Sequence, residues 1–243
     1  MRDYWFIGNI IRIMFRAGKN DFQEGQVLIF SKPYQWTSFD LVKKIKVILK
    51  AKLNRNIKIG HAGTLDPLAT GLIVLCTGKA TKRISVFQDL NKEYIATIEL
   101  GKTTPSFDLE TRVDKEYEFE HITKDLFKSV LTTFTGETDQ VPPVYSAKKY
   151  KGKKAYEYAR KGEEIELKPS RINIYELKLL EFDLPVVKLR ILCSKGTYIR
   201  ALARDIGKAL NSGAYLIALV RTRIGQYELK DAYTIDSFEK EHI

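Results

Sequence analysis

Asp66 lies in the segment Gly60-His61-Ala62-Gly63-Thr64-Leu65-Asp66-Pro67-Leu68-Ala69-Thr70-Gly71. A carboxylate in a glycine-rich loop can act as a nucleophile towards a bound ligand. Pro67 disfavours the α region at Asp66 and holds its backbone extended. Gly60, Gly63 and Gly71 permit tight turns and close approach of a ligand to the backbone. Taken alone, the Asp-Pro pair also has an ordinary structural reading, in which Asp66 caps a one-turn helix with Pro67 at its first position. The two readings are compatible, because a capping carboxylate can also face a cleft.

A second segment, Cys193-Ser194-Lys195-Gly196-Thr197-Tyr198-Ile199-Arg200, reads as the end of a strand, a small-residue turn and the first turn of a helix. Its Ser-Lys-Gly-Thr run lacks the GxxxxGK[ST] spacing of a phosphate loop, which argues against a nucleotide hydrolase. Without other information, it is a helix start with incidental basic residues.

Several elements must position these residues. Val27-Leu28-Ile29-Phe30 reads as a strand ending at Ser31-Lys32-Pro33. Thr37 and Asp40 have capping-box spacing, and Leu41, Val42, Ile45, Ile48 and Leu49 follow the helical period. Lys43, Lys44, Lys46 and Lys50 point elsewhere, which is usually a solvated face. The whole Gly60–Gly71 segment reads as a loop, followed by a buried strand over Leu72–Cys76. Residues 93–100 alternate, with Tyr94, Ala96, Ile98 and Leu100 on one face. Leu126, Phe127, Val130, Leu131 and Phe134 mark a helix. The stretch from Gly136 to Lys154, with Pro142-Pro143 and five lysines, reads as an exposed basic loop before a short helix near Ala155–Arg160. Strands follow at Ile172–Leu180 and Val186–Cys193. A helix from Thr197 to Leu210 turns Ile199, Leu202, Ile206 and Leu210 inward, with Arg200, Arg204 and Lys208 on its other side. Strands and helices mixed without regular βαβ alternation indicate an α+β fold.

The 243 residues are 44% hydrophobic, enough for a sizeable core. Lys and Arg number 41 against 30 Asp and Glu, a net charge of +11, which favours a polyanionic partner such as nucleic acid over a membrane surface. Cys76 and Cys193 lack CxxC spacing and each sits in an apolar stretch, which points to a reducing cytoplasm rather than a disulfide framework or zinc site. His61, His121 and His242 are scattered, so no metal site is expected. The apolar start, with Tyr4-Trp5-Phe6-Ile7, is interrupted by Arg12 and is too short to span a bilayer.

The Gly60–Gly71 segment resembles the catalytic motif of the TruB family of tRNA pseudouridine synthases. The resemblance continues through Gly78-Lys79-Ala80-Thr81-Lys82, Lys92-Glu93-Tyr94, Val141-Pro142-Pro143-Val144-Tyr145-Ser146-Ala147 and Ala155–Arg160. It resumes at Cys193–Arg200, Asp205-Ile206-Gly207 and Leu219-Val220-Arg221-Thr222-Arg223, so the ordered blocks run from about Val27 to Tyr227. It implies the pseudouridine synthase fold, a mixed, mostly antiparallel sheet flanked by helices and loops around a central RNA-binding cleft. It also implies isomerisation of uridine-55 in the T loop of tRNA, without metal or organic cofactor. The target base in such a loop is flipped out before it can react.

By the same resemblance, Asp66 is the catalytic carboxylate and Arg200 the arginine that pairs with it. Tyr94 stacks on the flipped base and is a candidate for proton transfer at carbon five. Tyr198 lines the substrate pocket, and His61 wedges the RNA loop open. Lys32 and Pro33 match a block with a structural role. The segment Lys148–Lys154 matches a mobile loop that clamps the T arm, making Lys148, Lys149, Lys151 and Lys153 candidates for phosphate contact.

The chain departs from the family pattern at Gln35, where Gly is usual, and in Lys102–Thr111, which retains Asp108 but has Thr111 in place of a Gly. The expected organisation is an extension over 1–24, a catalytic domain over 25–228 and a short tail over 229–243, too short for the PUA-type domain of many members. The expected partner is the T-arm stem-loop of tRNA, with no membrane and no obligatory protein partner, and the chain acting as a monomer. Two competing classes are a non-catalytic RNA-binding protein on the same scaffold and a synthase directed by guide RNA. Retention of Asp66, Tyr94 and Arg200 together argues against the first, and the short tail against the second.

Overall fold

The computed structural model describes residues 21–242, so most of the 1–24 extension lies outside it. The described residues divide into two compact units, one reaching to Asp89 and resuming at Ile224, the other Leu90–Arg223. Mixed helices and strands in antiparallel pairings bear out the α+β expectation.

In the first unit, β1 (Val27–Lys32) alternates half-buried and buried residues. It leads into α1 (Ser38–Leu53), which starts at a capping box: the Asp40 amide donates to Thr37 Oγ1 at 3.0 Å, and the Thr37 amide donates to the Asp40 carboxylate at 2.9 Å. The predicted apolar stripe of α1 is buried, and Asn54 ends the helix in the left-handed conformation. Then come β2 (Ile59–Ala62) and β3 (Ala69–Thr77), with β3 paired antiparallel to both β1 and β2. A 3-10 turn over Gly78–Arg83 and α2 (Ile84–Asp89) follow.

The second unit begins with β4 (Lys92–Leu100), whose alternation is as predicted. A small pair, β5 (Lys102–Thr103) and β6 (Lys115–Glu116), precedes α3 (Lys124–Thr133). Residues 136–140 correct one expectation. They form β7 (Gly136–Gln140), an edge strand paired to β10, rather than the start of an exposed loop. The basic loop is confined to the hairpin of β8 (Lys149–Tyr150) and β9 (Lys153–Lys154), followed by α4 (Ala155–Ala159). Long β10 (Ser170–Asp183) and β11 (Val186–Cys193), then α5 (Ile199–Ala209) and β12 (Ala214–Ile224), complete the unit. Within it the strand order is β12-β4-β11-β10-β7. Tyr94, Ala96 and Ile98 on β4 and Val187, Leu189 and Ile191 on β11 form its buried face.

The chain then returns to the first unit through β13 (Tyr227–Glu228), a 3-10 turn and α6 (Ile235–His242). Phe238 on α6 is fully buried, 5.0 Å from the Phe30 ring and 6.3 Å from the Phe22 ring. Residues read as a short tail therefore supply part of the first unit's core. No helix among the described residues is long and apolar enough to cross a membrane.

Candidate active site

Residues 60–62 belong to β2, so the segment around Asp66 is shorter than the sequence suggests, and His61 is a half-buried strand residue opposite Leu75. The connecting loop starts at Gly63, whose φ of +95° lies in the left-handed region that glycine enters without strain. The Ala69 amide donates to the Asp66 carbonyl at 3.1 Å, closing a β-turn with Pro67 in its second position. The helix-cap reading of Asp66 is thus replaced by a turn, which uses the fixed φ of Pro67 equally well.

Two further clamps hold this turn. Ser38, buried in the first turn of α1, accepts from the Leu65 amide at 2.9 Å and donates to the Leu65 carbonyl at 3.2 Å. The Lys32 ammonium is fully buried and donates to the carbonyls of Pro33 (2.9 Å), Trp36 (2.6 Å) and Pro67 (3.3 Å). A buried ammonium needs such partners, since removing it from water costs several kcal/mol (about that order) when it is unsatisfied. The backbone on both sides of Asp66 is therefore fixed while its side chain stays half-exposed. Such a carboxylate is placed for attack on, or charge stabilisation of, a substrate entering from solvent. The loop entering α1 also accounts for Gln35. Its φ is +63°, the conformation that the usual Gly adopts without a Cβ penalty.

In the second unit, Tyr94 lies on β4, only 8% exposed and opposite Ile191. Tyr198 is the N-cap residue of α5. Its amide donates to Gln140 Oε1 at 2.8 Å, and Gln140 Nε2 donates to its carbonyl at 3.1 Å. Arg200, read with Arg204 and Lys208 on the side opposite the inward residues, is itself buried, being 4% exposed. Its guanidinium donates to the carbonyls of Ser106 (3.0 Å) and Tyr145 (2.9 Å) and lies 3.5 Å from the Asp108 carboxylate. Two loops cover it, and they supply the acceptors a buried cation requires. The first is closed by Thr111, which stands where the family has Gly: its hydroxyl lies 2.8 Å from that of Ser106 and accepts from the Ser106 amide at 3.0 Å. The backbone bond from Leu216 to Phe107 (2.9 Å) ties that loop to β12. Sequence reasoning noted Asp108 without giving it a role and missed Gln140. Both act over long sequence separations, so only the Val141–Ala147 motif next to Gln140 hinted at the segment.

The β8–β9 hairpin turns through Lys151 and Gly152, at φ +45° and +85°, in the manner of tight hairpin loops. Lys149, Lys151 and Lys153 are exposed. Lys148 is tied down instead, donating to the Lys168 carbonyl at 3.2 Å and to the Ser170 hydroxyl. Of the predicted residues, Asp66 and His61 thus belong to the first unit, and Tyr94, Tyr198, Arg200 and the hairpin lysines to the second.

The family model described as TruB family pseudouridylate synthase (N terminal domain) matches residues 46–199, and that of the tRNA pseudouridylate synthase B C-terminal domain matches residues 200–243. The chain belongs to the TruB family of pseudouridine synthases. It is therefore an isomerase. Among TruB relatives, tRNA pseudouridine synthase B of Parabacteroides distasonis is 60% identical over 92% of this chain and 97% of that protein. The Flavobacterium johnsoniae protein of the same name is 50% identical over 90% and 97%, respectively. A chain in the archaeal box H/ACA sRNP Nop10–Cbf5 complex superposes with a TM-score of 0.65 at 26% identity over 91% of this chain. A Cbf5–Nop10–Gar1 complex gives 0.67 at 27% identity over 90%. The TruB chain spans about half the length of these two structural neighbours (54% of each).

Proposed function

We propose that this protein converts uridine-55 in the T loop of tRNA to pseudouridine, with Asp66 as the essential carboxylate. The observation that carries the reading is the turn at Asp66, held by Lys32, Ser38 and its own backbone bond within the family's catalytic motif. The names of relatives with which it is collinear over nearly their whole length support tRNA as the substrate.

In this reading the target uridine is flipped out of its loop, because a base in a folded loop is otherwise out of reach. His61 wedges the loop open, and Tyr94 stacks on the extruded uracil. Asp66 attacks or stabilises the reacting nucleotide while the N-glycosidic bond breaks; the uracil turns, and carbon five bonds to the sugar. The carbon-five proton then leaves, with Tyr94 the candidate to take it. Arg200 pairs with Asp66 and orients its carboxylate, and Asp108 and the two carbonyls on Arg200 hold that arginine. Tyr198 lines the pocket. Lys149, Lys151 and Lys153 contact T-arm phosphates, with Lys148 buttressing the hairpin. The enzyme works as a cytoplasmic monomer.

The test is incubation of purified protein with unmodified tRNA transcript, without added metal or cofactor, followed by mapping of pseudouridine. Product at uridine-55 is expected from the wild type, and none from Asp66→Asn, which still binds tRNA. Equal turnover by Asp66→Asn would remove Asp66 from the mechanism. Binding without modification by the wild type would leave an RNA-binding protein.

A further inference from the structure

The exposed side of α1 carries a pattern that the catalytic reading leaves unused. At about 100° per residue, positions 39, 43, 46 and 50 fall within an arc of about 60°. Phe39, Lys43, Lys46 and Lys50 are all exposed, and Phe39 shows 66% of its surface. No acidic residue of α1 lies on this arc. Asp40, about 100° round the helix from Phe39, has its carboxylate engaged by Thr37. Three other cations of the unit are paired with carboxylates: Lys44 lies 3.8 Å from Glu239, Arg55 3.7 Å from Asp21 and Lys79 2.8 Å from Glu24. Lys43, Lys46 and Lys50 form no salt bridge or hydrogen bond among the described residues.

One exposed aromatic is ordinary on a protein surface. What distinguishes Phe39 is its place in the chain. It follows Ser38, the residue bonded to both backbone groups of Leu65, the neighbour of Asp66. From there the stripe runs about 16 Å along the helix to Lys50, long enough to face several phosphates of a duplex. An exposed aromatic followed by unpaired cations matches the chemistry of RNA, with stacking for an unpaired base and counterion release along a backbone.

We propose that this stripe is a second RNA-binding surface, with Phe39 against an unpaired base next to the reacting uridine and Lys43, Lys46 and Lys50 along the phosphates of the adjoining stem. The inference rests on the tRNA-modifying role proposed above.

Lys52 supplies an internal control. It is exposed on the same helix, on the far side from the stripe, so Lys52→Glu changes net charge as much as Lys46→Glu does. Affinity for unmodified tRNA transcript would be measured by anisotropy from low to moderate salt, with thermal melts confirming that each variant folds. Lys46→Glu is expected to weaken binding about tenfold and Lys52→Glu by less than about twofold. Replacing the three stripe lysines with Gln should flatten log Kd against log salt by about 2 to 3. Phe39→Ala should weaken binding about tenfold, and Phe39→Tyr should restore it. Equal effects of Lys46→Glu and Lys52→Glu, or an unchanged salt slope in the triple variant, would overturn the proposal. Wild-type affinity matched by Phe39→Ala would strike out the stacking contact. Pseudouridine formed by the wild type is scored in parallel, so failure of the catalytic reading registers separately from failure of the stripe.

Discussion

Gln140 grips Tyr198 by both polar groups of its backbone, as a neighbouring strand would, and it does so 4% exposed. The side-chain amide thereby fixes the start of α5, from which Tyr198 and Arg200 project. Gln140→Ala leaves the Tyr198 amide without this acceptor, a loss of about 1–3 kcal/mol. The expected result is a lower urea midpoint together with a single-turnover rate on tRNA at least about tenfold below wild type, since small displacements of positioned groups are costly. An unchanged rate would make the clamp purely structural. Little of this was legible in sequence. Gln140 meets its partner 58 positions away, and Arg200 meets Ser106 94 positions away. No local pattern encodes such pairings, whereas the ordered motif blocks singled out Asp66 and Arg200 as the residues to test.

At the scale of elements, legibility followed periodicity. β4, β11 and α1 announce themselves because their apolar residues recur at 2.0 or 3.6 and one face is buried. Gly136-Glu137-Thr138-Asp139-Gln140 has no apolar face to detect. It is a strand because β10 offers an edge to pair with, aided by Arg171 at 3.2 Å from Glu137 and 3.6 Å from Asp139. α6 was hard to read for a different reason. Its single large anchor, Phe238, meets its partners on β1 and at residue 22, far away in sequence. Phe238→Ala should cost about 3–5 kcal/mol. Trp36 packs against the same cluster, so its fluorescence in a Trp5→Phe background reports the loss as a shifted denaturation midpoint. An unshifted midpoint would show that α6 is dispensable to the first unit.

For the whole molecule, alkali is a predictable weakness. Burial pushes the thiols of Cys76, in the first unit, and Cys193, in the second, from an ordinary 9.0 up to about 11. Between pH 9 and 11 the unfolded chain releases thiol protons that the folded chain keeps. Stability is therefore unaffected by these groups below pH 9 and falls as pH rises, by at most about 1.4 kcal/mol per unit for each thiol. Thermal melts from pH 8 to 11 should show this decline, and Cys193→Ala should make it shallower. An identical slope in that variant would exclude the buried thiol as a cause. The excess of lysine and arginine was legible in composition alone, but its sorting into paired and unpaired cations needed the packing of α1 against Glu239 and the loops.

The return of the chain to its first unit has a consequence for how the protein is made. A ribosome adding about 5–20 residues per second delivers Phe238 roughly 7–30 s after Asp89. Throughout that interval Phe22 and Phe30 have emerged without the ring that packs against them. The second unit, encoded by one uninterrupted stretch, can mature during elongation, whereas the core of the unit that holds Asp66 is completed only once Phe238 has emerged. Translational pauses between Asp89 and Phe238, and nascent-chain factors that shelter exposed aromatics, would therefore act on the first unit before the second.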